Sequence, residues 1–219
     1  MVKYLSKFSY LILIEMQTLL FKESIDIVVL MCVLMIIFKQ FNFIFVSCLL
    51  IIGMLVYFYR LPKRLKPTFD ESIITSPSDG TVLDISETKD GMYKISIYLS
   101  ILDVHVQWYP VDGLVRNLMY RKGEFNLAHI LEKSDFNERM TTIIQNKNGI
   151  VRVDQIAGQV ARRIVNKSIS NTYIIRGNQM GMIKLSSRVD IYLPLKKVKL
   201  HIEKGDKLLG KTSPIAKWV

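Results

Sequence analysis

Three residues have side chains and surroundings suited to proton or acyl chemistry. His105 lies in Leu102-Asp103-Val104-His105-Val106-Gln107, just after a predicted strand ending at Tyr98-Leu99-Ser100, where a neutral imidazole can reach a cleft as acid or base. Ser186 and Ser187 stand in a turn between Gly181-Met182-Ile183-Lys184-Leu185 and the strand-like Arg188-Val189-Asp190-Ile191-Tyr192-Leu193. A Ser-Ser pair in a turn is ordinarily solvated; it gains meaning only if a base and a carboxylate converge on it, as a serine nucleophile requires. His105 and Asp79 are the candidates for those two places. A lone histidine is more often structural than catalytic. Of the other two histidines, His129 falls in an amphipathic stretch and His201 in a late strand among lysines, so both read as surface residues.

The elements that must position these residues are mostly strands. From Glu71 onward, short β-type runs alternate with Asp-Gly, Asn-Gly and Lys-Gly turns: Thr81 to Ile85, Tyr93 to Leu99, Ile150 to Ile156, Tyr173 to Arg176, Val189 to Leu193 and Val198 to Ile202. A helix is predicted over Ala128 to Ile144 and a shorter one near Val160 to Val165. The fold class is therefore β-rich α+β, a sandwich or barrel-like domain with one or two short helices. Pro77-Ser78-Asp79-Gly80-Thr81-Val82 is echoed 33 residues later by Pro110-Val111-Asp112-Gly113-Leu114-Val115, as two related hairpins would give. A proline-initiated turn with a glycine accounts for both.

Composition points to lipid. Half of the 219 residues are hydrophobic and the mean hydropathy is +0.24, with the apolar excess concentrated before residue 60. Phe41 to Tyr59 is a run of 19 residues without a formal charge, roughly 28 Å long as a helix and close to the hydrocarbon thickness of a bilayer. Ile27 to Phe38, 12 residues between Asp26 and Lys39, is too short to span and suits half of a hairpin. Arg60, Lys63, Arg64 and Lys66 follow at once, and this cluster places the remainder on the cytoplasmic face of the cell membrane by the positive-inside rule. Residues 1–69 thus read as an anchor with a basic linker, and 70–219 as the folded domain. Cys32 and Cys48 both lie in apolar runs, which excludes a disulfide framework and a cysteine metal site; no metal is expected. The net charge of +11 suits an anionic membrane surface. No base-stacking or phosphate-loop motif accompanies it, so nucleic acid is not expected as a partner.

A series of motifs in order resembles the short-form phosphatidylserine decarboxylases, membrane-associated pyruvoyl enzymes. Tyr57-Phe58-Tyr59-Arg60-Leu61-Pro62 is similar to that family's aromatic-Arg-Asp-Pro segment, and Ser76-Pro77-Ser78-Asp79-Gly80 to its Ser-Pro-Ala-Asp-Gly. Leu102-Asp103-Val104-His105-Val106 with Pro110-Val111-Asp112-Gly113 resembles its Leu-Asp-Val-His-Val and Pro-Val-x-Gly elements. Gly123-Glu124-Phe125, Ala128, Lys133 and Asn137-Glu138-Arg139 match its helix segment. Gln155-Ile156-Ala157-Gly158, Ala161-Arg162-Arg163-Ile164-Val165, Arg176-Gly177 and Gly181-Met182-Ile183-Lys184 match the region before its processing site.

The resemblance implies self-cleavage at a serine. Ser187 maps onto the residue that becomes a pyruvoyl group and forms the Schiff base with substrate, with His105 as base and Asp79 orienting its imidazole. Cleavage between Ser186 and Ser187 would leave a β chain, 1–186, and an α chain, 187–219, in an assembly open to higher oligomers. The implied reaction is decarboxylation of phosphatidylserine to phosphatidylethanolamine, with Arg162 and Arg163 as candidate cations for the lipid phosphate. Three positions depart from the pattern: Ser186 stands where the family has Gly, Leu61 where it has Asp, and Trp108 where long forms carry a second histidine. Two other readings use the same residues. One is a non-processing lipid-binding homologue; the other is a membrane-anchored adaptor with a lipoyl-like domain built from Pro77 to Val82 and Lys204 to Lys211.

Overall fold

The computed structural model describes residues 25–64, 70–159, 163–184 and 187–219. The chain divides into two compact units, Met1–Pro62 and Lys63–Val219.

In the first unit, a helix over residues 25–37 (α1) and a turn over 38–40 precede α2, Asn42–Phe58. The uninterrupted apolar sequence has no proline to break either helix. α2 stops before Pro62, and large apolar side chains such as Ile36, Phe43 and Leu50 remain exposed. The helix has 17 residues, shorter than the charge-free run that contains it. No helix among the described residues is long and apolar enough to cross a membrane.

The second unit is β-rich. Its main sheet has eight strands in the order β13 (Lys207–Leu208), β2 (Gly80–Glu87), β3 (Met92–Leu99), β11 (Ser187–Pro194), β7 (Ile150–Ala157), β6 (Arg139–Gln145), β5 (Gly113–Arg121) and β9 (Tyr173–Ile174); two smaller sheets have the orders β1 (Ile73–Thr75), β14 (Pro214–Trp218), β12 (Val198–Leu200) and β4 (Val106–Trp108), β10 (Gln179–Ile183), β8 (Ile164–Asn166). The strands that matter for the site are β2, β3, β4, β6, β7, β10 and β11. β11 is interior, paired antiparallel with β3 on one edge and β7 on the other. Period-two alternation sends Val189, Ile191 and Leu193 into the apolar core with Ile95, Ile97, Leu99, Val151 and Val153. The opposite face carries Arg188, Asp190 and Asp154, all fully buried.

The two Pro-x-Asp-Gly turns do open hairpins, β2 with β3 and β5 (Gly113–Arg121) with β6. Each glycine starts a strand against a carbonyl of its partner strand. A Cβ at Gly80, where φ is +139°, would lie 2.2 Å from the Tyr98 oxygen, and one at Gly113 would lie 2.5 Å from that of Gln145. The helix predicted over Ala128 to Ile144 is not formed. A single turn, α3 (Leu131–Ser134), gives way to β6, because Met140 to Ile144 finds ladder partners on both β5 and β7. Near Val160 to Val165, Ile164–Asn166 is a strand, β8, and positions 160–162 lie outside the described residues.

Gly80→Ala is expected to lower stability by about 2–3 kcal/mol in urea denaturation, since it combines a strained φ with a backbone clash. An unchanged midpoint would show that the β2–β3 approach relaxes freely.

Candidate active site

Ser187 is the first residue of β11, paired in register with Leu99 of β3 and Ala157 of β7. It is fully buried, not solvated as an ordinary Ser-Ser turn would be, and its Oγ has no hydrogen-bond partner among the described residues. Leaving a buried hydroxyl unpaired is costly, and such a group calls for a reason. Ser186 lies outside the described residues.

His105 is delivered to the same end of the sheet. After Leu99, a tight turn is closed by Asp103: its Oδ2 accepts from the Ser100 amide at 2.8 Å and from the Ser100 hydroxyl at 2.7 Å, and its own amide donates to the Ser100 carbonyl at 3.0 Å. His105 follows, fully buried, with Nδ1 2.9 Å from the Asp103 carbonyl. A carbonyl can only accept, so Nδ1 carries the hydrogen, and Nε2 is the ring position left to take up or give a proton. The backbone then joins the β4–β10 ladder: the Ile183 amide donates to the His105 carbonyl at 3.2 Å, four positions before Ser187. The same carbonyl accepts from Gln107 Nε2 at 2.7 Å. Amide hydrogen bonds continue from Gln107 to Gln155 and on to Asn166, each 2.8 Å long.

Asp79 stands just before β2 and is nearly buried. Its carboxylate is engaged by a guanidinium and a backbone amide. Both oxygens are held by Arg64, at 2.5 and 2.6 Å, and Oδ1 also accepts from the Gly210 amide at 2.8 Å. The resemblance pairs Asp79 with His105; here the imidazole is oriented by the carbonyl of Asp103. Arg162 lies outside the described residues, whereas Arg163 is exposed, and its carbonyl accepts from the Lys184 amide at 3.2 Å. His129 is exposed beside the Tyr98 ring, and His201 is exposed on the far part of the chain.

Behind Ser187 lies a buried charge network. Arg188 Nε is 2.9 Å from Asp190 Oδ1, and its Nη atoms reach Asp135 and, at 2.5 Å, the Ser134 hydroxyl. On neighbouring strands, Arg139 and Arg152 hold Asp154 at 3.1 and 2.6 Å. Burial works against the Arg188 charge, and Asp190 and Asp135 more than offset it, so the guanidinium stays ionised. Burial raises the Asp190 carboxyl despite the opposing pull of Arg188 and Lys94. Asp135 is also pushed up by burial, but the hydrogen bond and charge of Arg188, helped by Lys94, hold it below the usual value of 3.8. Its pairing therefore stabilises the fold above that pH and is lost as pH falls through the lower folded value.

Sequence reasoning missed Arg64, Asp103 and Arg188 as members of this site. Asp103 and Arg188 lie next to His105 and Ser187 in the sequence, which is the available signal; Arg64 carries none beyond its charge.

Fold and site together define a small β-rich domain whose central strand opens with a buried serine. Residues 52–213 match the profile of a family described as phosphatidylserine decarboxylase. The phosphatidylserine decarboxylase proenzyme of Parabacteroides distasonis is 37% identical over 180 residues, 79% of this chain and 81% of the relative. That of Carboxydothermus hydrogenoformans is 42% identical over 161 residues, 71% of this chain and 75% of the relative. The putative archaetidylserine decarboxylase proenzyme of Methanosarcina mazei is 42% identical over 159 residues, 72% and 73% of the two chains. The chain belongs to the phosphatidylserine decarboxylase family.

Arg188→Met, which leaves buried Asp190 without its main counter-charge, is expected to cost about 3–5 kcal/mol of stability in chemical denaturation. A loss below about 1 kcal/mol would mean that Lys94 alone suffices.

Proposed function

We propose that this chain is a proenzyme that cuts itself between Ser186 and Ser187 and then decarboxylates phosphatidylserine to phosphatidylethanolamine and CO2. Relatives that share most of the chain carry the name of that activity and of a proenzyme. The observation that carries the reading is the Ser187 hydroxyl, buried and unpartnered among the described residues, at the end of a strand to which His105 is also brought.

The chemistry follows from these placements. His105 Nε2 takes the proton of Ser187 Oγ, while its Nδ1–H stays on the Asp103 carbonyl and keeps the ring in the tautomer a base needs. Oγ attacks the carbonyl of residue 186; the peptide C–N bond breaks, the nitrogen gains the proton, and an ester joins 186 to 187. Loss of the Cα proton and cleavage of Cβ–Oγ then free the carboxylate of residue 186. Hydrolysis of the remaining dehydroalanine by water releases ammonia and leaves a pyruvoyl group on the chain 187–219. Ser186 in place of Gly is compatible with this route, since attack uses its carbonyl and not its side chain.

A pyruvoyl carbonyl supplies the electron sink that loss of CO2 from an amino acid requires. Burial of position 187 fits such a group by excluding water, and the histidine at its end of the sheet is suited to protonate the product carbon. Asp79 takes part as a carboxylate fixed by Arg64 and the Gly210 amide. Arg163, exposed near the processing segment, and Arg162 are assigned to the lipid phosphate. Residues 1–69 act as a membrane-anchoring hairpin and basic linker for a barrel-like catalytic domain, 70–219, on the cytoplasmic face. The acyl chains of the substrate thereby stay in lipid while the headgroup enters.

Intact mass measurement of the purified protein tests the reading. The wild type is expected to yield a fragment beginning at position 187 with pyruvoyl in place of serine, and Ser187→Ala to stay whole; an uncut wild type refutes the proposal. His105→Ala is expected to slow cleavage by about 100-fold or more, the usual contribution of a general base. Cleavage at the wild-type rate would remove His105 from the mechanism.

A further inference from the structure

In the sequence, Arg64 reads as one of four linker cations facing an anionic surface. In the structure it turns inward. Its side chain is 11% exposed and grips both oxygens of Asp79, at 2.5 and 2.6 Å, in the two-pronged geometry that only a guanidinium provides. Nη1 also donates to the Gly210 carbonyl at 2.7 Å, and the guanidinium carbon lies 4.9 Å from the centre of the Trp108 ring. The Gly210 amide returns a hydrogen bond to Asp79 at 2.8 Å. The ion pair therefore holds both polar backbone groups of one residue. That residue must be glycine, because a Cβ there would lie 2.5 Å from the indole of Trp108.

Trp108 ends β4, whose other end adjoins His105. The Trp108 amide donates to the Pro77 carbonyl at 2.9 Å, so the segment carrying Asp79 and the strand following His105 are braced against each other. Arg64 and Asp79 precede the proposed cut and Gly210 follows it; the clamp thus bridges the two future chains.

We propose that Arg64 is a positioning residue for self-processing: it fixes the Asp79 carboxylate and, through Gly210 and Trp108, seats the strand that sets His105. This inference rests on the self-cleavage reading. Two nearly buried charges persist together only when each satisfies the other, so loss of the cation leaves Asp79 uncompensated and free to move.

The test is a time course of cleavage by intact mass on the full chain, with thermal melting of every variant. Arg64→Ala is expected to cut about tenfold more slowly than wild type, a barrier increase near 1.4 kcal/mol. Arg64→Lys, which restores the counter-charge without the two-pronged grip, is expected to recover part of that rate. Wild-type cleavage in Arg64→Ala overturns the proposal, as does an Arg64→Lys that melts like wild type yet cuts no faster than Arg64→Ala. If Arg64→Ala does not fold, Arg64→Gln, which keeps a donor for the Gly210 carbonyl but no charge, replaces it, with slow cleavage expected and a wild-type rate refuting. An uncut wild type would instead refute the self-cleavage reading itself.

Discussion

The structure depends on the ladder that holds β11 between β3 and β7. Eight residues of β11 pair with β3 and six with β7, so the strand that opens with Ser187 has no free edge. Its two faces are covered differently. Val189, Ile191 and Leu193 enter the apolar core, while Arg188 and Asp190 join a buried charge network that reaches β3, β6, β7 and the turn after α3. A strand gripped on both edges and both faces cannot slip by one residue, since a slip would exchange apolar and charged side chains between faces. A chain end made at residue 187 would leave almost the whole ladder intact and keep that end seated.

Around this fixed point, the polar groups divide into two sets. The Asp103 turn, the His105 ring and the amide chain from the His105 carbonyl through Gln107, Gln155 and Asn166 form one set, in which the Asp103 carbonyl orients the imidazole from within its own loop. Arg64, Asp79, Trp108 and the backbone of Gly210 form the other, at the far end of β4. The two carboxylates flanking this region do different work. Asp103 closes a turn through Ser100 and lends its backbone carbonyl to the ring, whereas Asp79 neutralises an inward-turned arginine. The family resemblance implied Asp79 as the orienting carboxylate of a triad; here the Asp103 carbonyl lies on the His105 ring, and Asp79 is held by Arg64 and the Gly210 amide.

Much of this was legible in the residues. Alternation in Val189 to Leu193 and Tyr93 to Leu99 announced the central strands, and the two Pro-x-Asp-Gly turns announced the hairpins of β2–β3 and β5–β6. Met140 to Ile144 was misread as the end of a helix because intrinsic preference is weak there and two neighbouring strands decide the outcome. Arg188 stood in the sequence only as the first residue of a strand-like run, and its burial follows from contacts with Ser134 and Asp135, more than 50 positions away in the chain. Arg64 looked like one more linker cation for the same reason: its partners, Asp79 and Gly210, are 15 and 146 residues away.

By itself, the sequence determined the family, the order of the elements and the identity of the reactive candidates, because motif spacing, turn chemistry and strand alternation are local properties that each residue carries with its neighbours. Only the tertiary structure decided that Ser187 is buried, that the Asp103 carbonyl sets the tautomer of His105 and that Asp79 belongs to Arg64. Those outcomes depend on which distant groups satisfy each hydrogen bond and charge once water is excluded, and the competition between partners is settled by packing across the sheet.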